Sequence, residues 1–229
     1  MKRNVFFITG TDTEVGKTVV TALLGMLFQS LECSVGVMKP VSSGGRGDAL
    51  FLKEMLSIDD DIDVITPVNF DLALSPNIAA HLTGKSVDFR CLFDTFNDMK
   101  KKYDVLLVEG IGGLLVPLTD SYFVKDLIID LEASCIIVTR RLLGTLNHTF
   151  LTVESLKTSS ILLEGIIFND THHINDSVIP DTNSRFIAQS TQLRILGTIP
   201  FLKEMNKKSL QSRIHEYFSK EWIEELCER

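Results

Sequence analysis

A loop of glycine, threonine and acidic residues, Gly10 to Thr18, contains the residues with the clearest capacity for chemistry in this chain. It follows the apolar run Val5 to Ile8 and ends in a Gly-Lys-Thr that opens a predicted helix. Backbone N–H groups and a helix N-terminus bind phosphate, Lys17 adds a full positive charge, and the Thr18 hydroxyl suits Mg²⁺. The loop therefore predicts nucleotide binding, although Thr11 stands where the usual spacing requires a glycine.

Three polar residues stand where predicted strands end, namely Lys39, Glu109 and Asn169. We expect them on the same rim as the phosphate loop, because ligands of parallel sheets bind beyond the carboxyl ends of the strands. Glu109 suits Mg²⁺, directly or through water, and Lys39 adds a second cation near the phosphates. Asp48, at the start of a predicted helix, is either a further metal ligand or an ordinary N-cap. The set predicts phosphoryl transfer, and its spacing reveals no general base and no Ser, Cys or His nucleophile.

Charge and composition exclude several classes of protein. Hydrophobic residues make up 45% and charged residues 23%, and the net charge is −7. This charge argues against nucleic-acid or anionic-membrane partners, because both require a basic face. No apolar run is long enough to span a membrane, and the basic start, Met1 to Arg3, lacks the apolar stretch of a signal peptide. We expect a cytoplasmic protein.

Strand-like and helix-like segments alternate along the chain. Val64 and Ile65 are predicted as a short strand, and residues 214–226 as one amphipathic helix in which Trp222 serves packing. Apolar strands separated by helices predict an α/β fold, with a mostly parallel sheet of the P-loop type and helices on both faces, in a single domain over 1–229. Strands are predicted at 5–8, 34–38, 103–108, 134–139, 161–168 and 195–199, and helices at 18–31, from about 48, from 75, from 88 and at 144–156.

Six stretches resemble the dethiobiotin synthetase family, in the right order and over most of the chain up to about residue 202. The phosphate loop is the most specific of them, because its unusual spacing is what this family shows. The matching stretches are Gly10 to Thr18, Lys39 to Gly44, Val108 to Gly113, Gly144 to Thr149, Asn169-Asp170 and Gly197 to Leu202.

The resemblance implies a reaction in biotin biosynthesis that uses ATP as co-substrate. CO₂ would form a carbamate on one amine of 7,8-diaminononanoate, and ATP would phosphorylate that carbamate. The second amine would attack the mixed anhydride and close the ring of dethiobiotin, with release of ADP and phosphate. Such a reaction depends on positioning and charge neutralisation, which agrees with the lack of acid–base groups.

The resemblance also implies roles for individual residues. Lys17, Lys39, Thr13 and Glu14 would form the catalytic group, and Thr18, Asp48 and Glu109 would hold Mg²⁺. ATP would contact the loop residues Thr13, Glu14, Val15, Gly16, Lys17, Thr18 and Val19, with Asn169 and Pro200 at the adenine.

For the second substrate, the resemblance implies contacts to Thr13, Lys39, Ser43 and Gly112. It also implies a homodimer in which the substrate carboxylate crosses the interface. The partner subunit would then supply backbone donors at Leu143, Gly144 and Asn147, where a helix N-terminus favours an anion.

Three departures from the family and three alternative functions remain, one departure being that residues 172–183 and the stretch after 202 follow no family pattern. Arg140 to Leu143 is bulkier than the usual approach to this helix, which predicts an altered tail pocket, and Asn77 stands where histidine is frequent. An amide-forming ATPase of the cobyrinic acid type requires an added glutaminase domain with a nucleophilic cysteine, and this chain has neither the length for it nor a candidate nucleophile. A partitioning or septum-positioning switch ATPase requires a second lysine early in the loop, where this chain has Asp12 to Glu14. A non-catalytic nucleotide-binding module would leave Lys39 and Glu109 unexplained.

Overall fold

A parallel sheet forms the centre of the protein, in a computed structural model that describes residues 4–173 and 178–228. The order of its strands is β2-β5-β1-β6-β7-β8, and every neighbouring pair is parallel. Two short strands, β3 and β4, pair in parallel as a second sheet. The strands are β1 (Asn4–Gly10), β2 (Val35–Met38), β3 (Val41–Ser43), β4 (Val68–Phe70), β5 (Val105–Glu109), β6 (Ser134–Thr139), β7 (Leu163–Asn169) and β8 (Ile195–Ile199).

Helices cover both faces of the main sheet, as predicted. Two clusters of buried side chains lie on opposite faces, and alternate residues of β1 feed them: Phe6 and Ile8 enter one, Val5 and Phe7 the other. This explains the apolar runs, because a strand covered on both sides has no polar face. The helices are α1 (Lys17–Ser30), α2 (Gly47–Leu56), α3 (Ile62–Ile65), α4 (Pro76–Thr83), α5 (Phe89–Lys102), α6 (Val124–Asp130), α7 (Thr145–Thr158), α8 (Val178–Thr191), α9 (Lys207–Ser212) and α10 (Lys220–Glu228), with a 3₁₀ turn at Ile214–Glu216.

The register of the sheet brings the predicted polar strand ends to one edge. In β2 and β5, Met38 pairs with Val108, so the following residues, Lys39 and Glu109, lie side by side. On the other side of β5, Ile8 of β1 pairs with Glu109. The phosphate loop, which follows β1, therefore begins next to the residues at the ends of β2 and β5.

The prediction of a strand at Val64 and Ile65 is wrong. Both residues lie in α3, where their backbone N–H groups donate to the carbonyl oxygen of Asp61 at 2.9 and 3.1 Å. The strand forms slightly later, at Val68–Phe70, where β4 pairs with β3. Apolar β-branched residues favour strands, but here the local helical turn prevails over this preference.

The C-terminal segment is not the single amphipathic helix that its sequence predicts. Residues 214–226 divide into the 3₁₀ turn and α10, because the chain between them hydrogen-bonds to the edge of the sheet. The backbone N–H of Thr198 donates to the carbonyl oxygen of Tyr217 at 3.0 Å. The backbone N–H of Ser219 donates to the carbonyl oxygen of Leu196 at 2.7 Å. An edge strand offers unpaired backbone groups, so β8 captures this segment and interrupts the helix.

Trp222 serves packing, as predicted. It is fully buried, and its ring lies edge-on to Phe28 of α1, with centroids 6.4 Å apart. Its indole N–H donates to Glu164 at 3.0 Å, which satisfies the polar atom of this ring. The C-terminal segment is thereby fixed against the helix that carries the phosphate loop. Among the described residues, no helix is both long and apolar enough to cross a membrane.

Candidate active site

The phosphate loop connects β1 to α1 and has the geometry that its sequence predicts. Gly16 adopts a left-handed conformation with φ +83° and is the N-cap of α1, so the helix N-terminus begins within the loop. At Gly10, a Cβ atom would lie 2.8 Å from the carbonyl oxygen of Asp12, which requires glycine. The Lys17 ammonium folds back on the loop and donates to this same carbonyl at 3.2 Å.

The end of β7 supports the phosphate loop directly. The side-chain amide of Asn169 donates to the carbonyl oxygen of Val15 at 2.9 Å, and Asn169 is almost fully buried. A Cβ atom on Gly16 would lie only 2.1 Å from the Asn169 amide nitrogen. The loop and the end of β7 therefore approach each other as closely as a glycine permits.

A buried lysine joins the ends of β2 and β5 to α2. The Lys39 ammonium lies 2.7 Å from a carboxylate oxygen of Glu109 and 2.5 Å from one of Asp48. The Lys39 and Glu109 side chains are 4% and 1% exposed, whereas that of Asp48 is 49% exposed. Thr18 completes the group, because its hydroxyl donates to the Glu109 oxygen that Lys39 contacts, at 2.9 Å. The structure thus brings four residues predicted from separate segments into one cluster.

Asp48 takes part in this cluster and does not cap its helix. The N-cap of α2 is Arg46, so Asp48 lies in the first turn. From there its carboxylate forms an ion pair with Lys39, and the metal-ligand role implied by the resemblance stays a prediction.

The two lysines of the site differ in their proton affinity. Burial lowers the pKa of Lys39, but the charges of Glu109 and Asp48 outweigh this effect, and the pKa lies above its ordinary value. For Lys17, burial is dominant, and the pKa falls to about 8. The charge of Glu109 opposes this fall and that of Lys39 adds to it. Lys39 therefore stays charged. An anionic ligand beside Lys17 would stabilise the charged form of its ammonium.

The cluster fits a magnesium ion. The second carboxylate oxygen of Glu109 is buried and has no hydrogen-bond partner among the described residues. A buried acceptor in this state costs free energy unless a ligand satisfies it. Mg²⁺ takes oxygen ligands, commonly one or two carboxylates, and keeps several waters. Glu109, Asp48 and the Thr18 hydroxyl supply that set.

The remaining loop residues divide into exposed and packed positions. Thr13 and Glu14 are exposed to solvent in the loop. Glu14 has φ 56°, which is uncommon for a residue other than glycine. Val15 is fully buried, and Val19 packs against the core, so either would meet a ligand mainly through its backbone.

The other predicted residues lie around the rim. Ser43 has a buried hydroxyl without a hydrogen-bond partner in the described part of the chain. Gly112 has φ +58°, and Pro200 lies exposed after β8. Leu143, Gly144 and Asn147 form an exposed group at the N-terminal end of α7, where Leu143 is 91% exposed.

An open cavity of about 470 Å³ adjoins the phosphate loop, and sequence reasoning missed most of its wall. Thr11, Asp12 and His148 make one part of it polar, while a run of apolar residues after the glycines of the β5 loop makes another part apolar. The sequence signal for this wall was the apolar run itself, because it directly follows Gly112 and Gly113. The cavity is lined by Thr11, Asp12, Ser75, Gly113, Leu114, Leu115, Val116, Pro117, His148, Leu151, Thr152 and Ser155.

The fold and the loop define a nucleotide-binding protein of the P-loop type. Residues 4–209 match the family described as AAA domain. A septum site-determining protein MinD from Pyrococcus horikoshii, solved with Mg-ADP, shares the fold with a TM-score of 0.52 at 18% identity, over 94% of this chain and 96% of that one. A chain of the MinC:MinD cell division protein complex of Aquifex aeolicus gives a TM-score of 0.55 at 16% identity, over 92% of this chain and 86% of that one. At these identities the likeness concerns the fold alone.

Sequence relatives give the particular family. An ATP-dependent dethiobiotin synthetase from Thermodesulfovibrio yellowstonii is 39% identical over 220 residues, covering 90% of this chain and 92% of the relative. Those from Methanocaldococcus jannaschii and Bacillus subtilis are each 37% identical, over 85% and 93% of this chain and 93% and 94% of their own. The chain belongs to the ATP-dependent dethiobiotin synthetase family, which confirms the resemblance of its motifs.

The contact between Gly16 and Asn169 yields a prediction for Gly16→Ala. A methyl group there would collide with the Asn169 amide, and the left-handed backbone would be strained. We expect the affinity for ATP, measured by equilibrium titration, to fall by more than about tenfold, a loss of about 1.4 kcal/mol. Gly47→Ala is the matched control, because its Cβ would meet no atom within 4 Å. Equal affinities for the two variants would contradict this account of the loop.

Proposed function

We propose that this protein closes the ring of dethiobiotin from 7,8-diaminononanoate and CO₂ in a reaction driven by ATP, as a ligase of biotin biosynthesis. The observation on which this rests is that the Lys39–Glu109–Asp48 cluster and the phosphate loop lie on one rim, beside a partly apolar cavity. A linear aliphatic diamine requires such a surface, with polar groups only near its reacting end.

In the proposed mechanism, the phosphate loop binds the triphosphate of ATP. The backbone N–H groups at the start of α1 and the Lys17 ammonium neutralise its charge. Thr18, Asp48 and Glu109 would hold Mg²⁺, which supplies charge neutralisation at the phosphate oxygens when it is bound. The bound Mg²⁺ would satisfy the buried oxygen of Glu109 that has no hydrogen-bond partner among the described residues.

The diamine would bind with its chain along the apolar part of the cavity and its amines towards the loop. Thr13 and Ser43 would orient the carbamate or the adjacent amine, with Glu14 in the same loop. The unpartnered hydroxyl of Ser43 supports this assignment, since a substrate oxygen or nitrogen would satisfy it. Gly112 would let the backbone of the β5 loop approach the chain closely.

Lys39 is the proposed centre of phosphoryl transfer. The carbamate oxygen attacks the γ-phosphorus of ATP, a new P–O bond forms, and the bond to ADP breaks. The second amine then attacks the carbamoyl carbon, forms the C–N bond of the ring, loses a proton and expels phosphate. A fixed ammonium at the reacting oxygens stabilises the charge in both steps, and this stabilisation accounts for a site without an evident general base.

Asn169 and Pro200 would border the adenine. Because the Asn169 nitrogen already donates to Val15, its amide orientation is fixed, and the oxygen is the atom left to accept from an amino group. The substrate carboxylate would reach the α7 N-terminus of a partner subunit, at Leu143, Gly144 and Asn147. The exposure of this terminus supports that assignment, since an exposed helix N-terminus can receive an anion from another subunit.

The function is tested by coupling ADP release to the diamine. Purified protein with Mg²⁺, bicarbonate and ATP should release ADP only when 7,8-diaminononanoate is added, and dethiobiotin should form in equal amount by mass spectrometry. ATP turnover that is the same with and without the diamine would refute the assignment. 7-Aminononanoate, which has the same chain length, serves as the control, because it lacks the second nucleophile that ring closure requires.

Lys39→Met should separate binding from catalysis. The variant keeps the length of the side chain but removes the ammonium, so we expect kcat to fall by at least about 100-fold. The affinity for ATP should change much less, because Lys17 and the backbone of the loop remain. Lys203→Met, a substitution outside the site, is the control. Turnover near the wild-type rate would remove Lys39 from the mechanism.

The crossing of the substrate tail between subunits can be tested with mixed dimers. Gly144→Val should impair the α7 terminus, because Gly144 has φ +91° and a β-branched residue is strained there. We expect Gly144→Val and Lys39→Met proteins each to be inactive alone. A dimer containing one of each, isolated with two affinity tags, should regain about half of the wild-type activity, because one of its two sites is intact. An inactive mixed dimer would place the tail within a single subunit.

A further inference from the structure

We propose that Arg141 is a positioning residue that fixes the nucleobase end of the ATP site. This inference deepens the proposed function and rests on its assignment of Asn169 and Pro200 to the base. Arg141 belongs to the stretch that departs from the family pattern, so the family supplies no role for it.

Arg141 makes a two-pronged contact with Asp170. Its Nε donates to one carboxylate oxygen at 3.0 Å, and one terminal nitrogen donates to the other at 2.5 Å. The Arg141 side chain is 18% exposed and that of Asp170 only 4% exposed. A paired, mostly buried guanidinium–carboxylate contact of this kind fixes both the distance and the orientation of its partners.

Asp170 is the residue through which this contact reaches the base subsite. It directly follows Asn169, and its backbone N–H donates to the carbonyl of Ile199 at 2.9 Å. Ile199 directly precedes Pro200. Both chain segments assigned to the adenine therefore meet at Asp170, and the guanidinium holds its side chain.

Arg141 also connects this point to two other elements. A further guanidinium nitrogen lies 3.6 Å from Asp181 of α8, and Asn183 of the same helix donates to the carbonyl of Leu142 at 3.1 Å. The loop between β6 and α7 is thus attached both to the end of β7 and to α8. These attachments limit the movement of Asp170 relative to the body of the protein.

The expected consequence of losing Arg141 is selective. Without the guanidinium, Asp170 would be a mostly buried carboxylate without its strongest partner, and it would turn towards water. The segment around Asp170 and Pro200 would shift, whereas the phosphate loop would keep its own support, because the bond from Asn169 to Val15 does not involve the guanidinium. Small displacements of a positioning group are enough to weaken binding of the part that it positions.

The experiment compares ATP with inorganic tripolyphosphate, which lacks a base and can occupy only the phosphate loop. In Arg141→Ala we expect the Kd and KM for ATP to rise about tenfold, equivalent to about 1.4 kcal/mol, with kcat nearly unchanged. The Kd for tripolyphosphate should change by less than about twofold. Arg141→Lys, which keeps the charge but not the fork, should give an intermediate loss for ATP.

Parallel losses for ATP and tripolyphosphate would show a merely structural role and overturn the proposal, as would unchanged ATP binding. Arg194→Ala is the matched control, because it breaks an ion pair with Glu225 near the C-terminus of the chain. If Arg141→Ala does not fold, Arg141→Lys decides by the same comparison. The titrations are independent of turnover, so an absence of diamine-dependent ADP release would refute the proposed function and leave this result readable.

Discussion

The Lys39 ammonium lies buried between two carboxylates, and the arrangement of strands and helices around the site is the one that compensates this charge. A buried charge is tolerated only when opposite charges and hydrogen bonds compensate it. Compensation here requires β2 and β5 to be neighbours, so that Lys39 and Glu109 end side by side, and it requires α2 to begin where Asp48 reaches them. One cation and two carboxylates leave an excess of negative charge beside the phosphate loop. This excess of negative charge favours the binding of a metal ion, and a bound metal ion in turn favours the binding of a triphosphate.

The other side of the phosphate loop also depends on a few polar contacts. Asn169 is held by its bond to Val15, while Asp170 is held by Arg141 and by the backbone of Ile199. Adjacent residues of one strand end thus support the phosphates and the segment assigned to the base. The site is built from strand ends, whose positions the sheet fixes, and from short contacts between them.

Strand ends were also what the sequence could predict. Lys39, Glu109 and Asn169 follow apolar runs, and the topology of a parallel sheet brings such ends together without any knowledge of side-chain contacts. Local patterns failed where another local conformation or a distant partner decides the structure. Val64 and Ile65 form a helical turn, and β8 interrupts the C-terminal helix by pairing with residues that no periodicity marks. The contact of Arg141 with Asp170 was inaccessible, because it joins segments far apart in the chain, whereas the apolar run after Gly113 was a sequence signal for one part of the cavity wall.

Trp222 has a consequence of another kind. It is the single tryptophan of the chain, fully buried against the helix that begins in the phosphate loop. All the indole fluorescence of the protein therefore arises at the junction between the C-terminal segment and α1. The chain carries an intrinsic optical probe at that junction, so its emission reports whether the last helix is seated on the body.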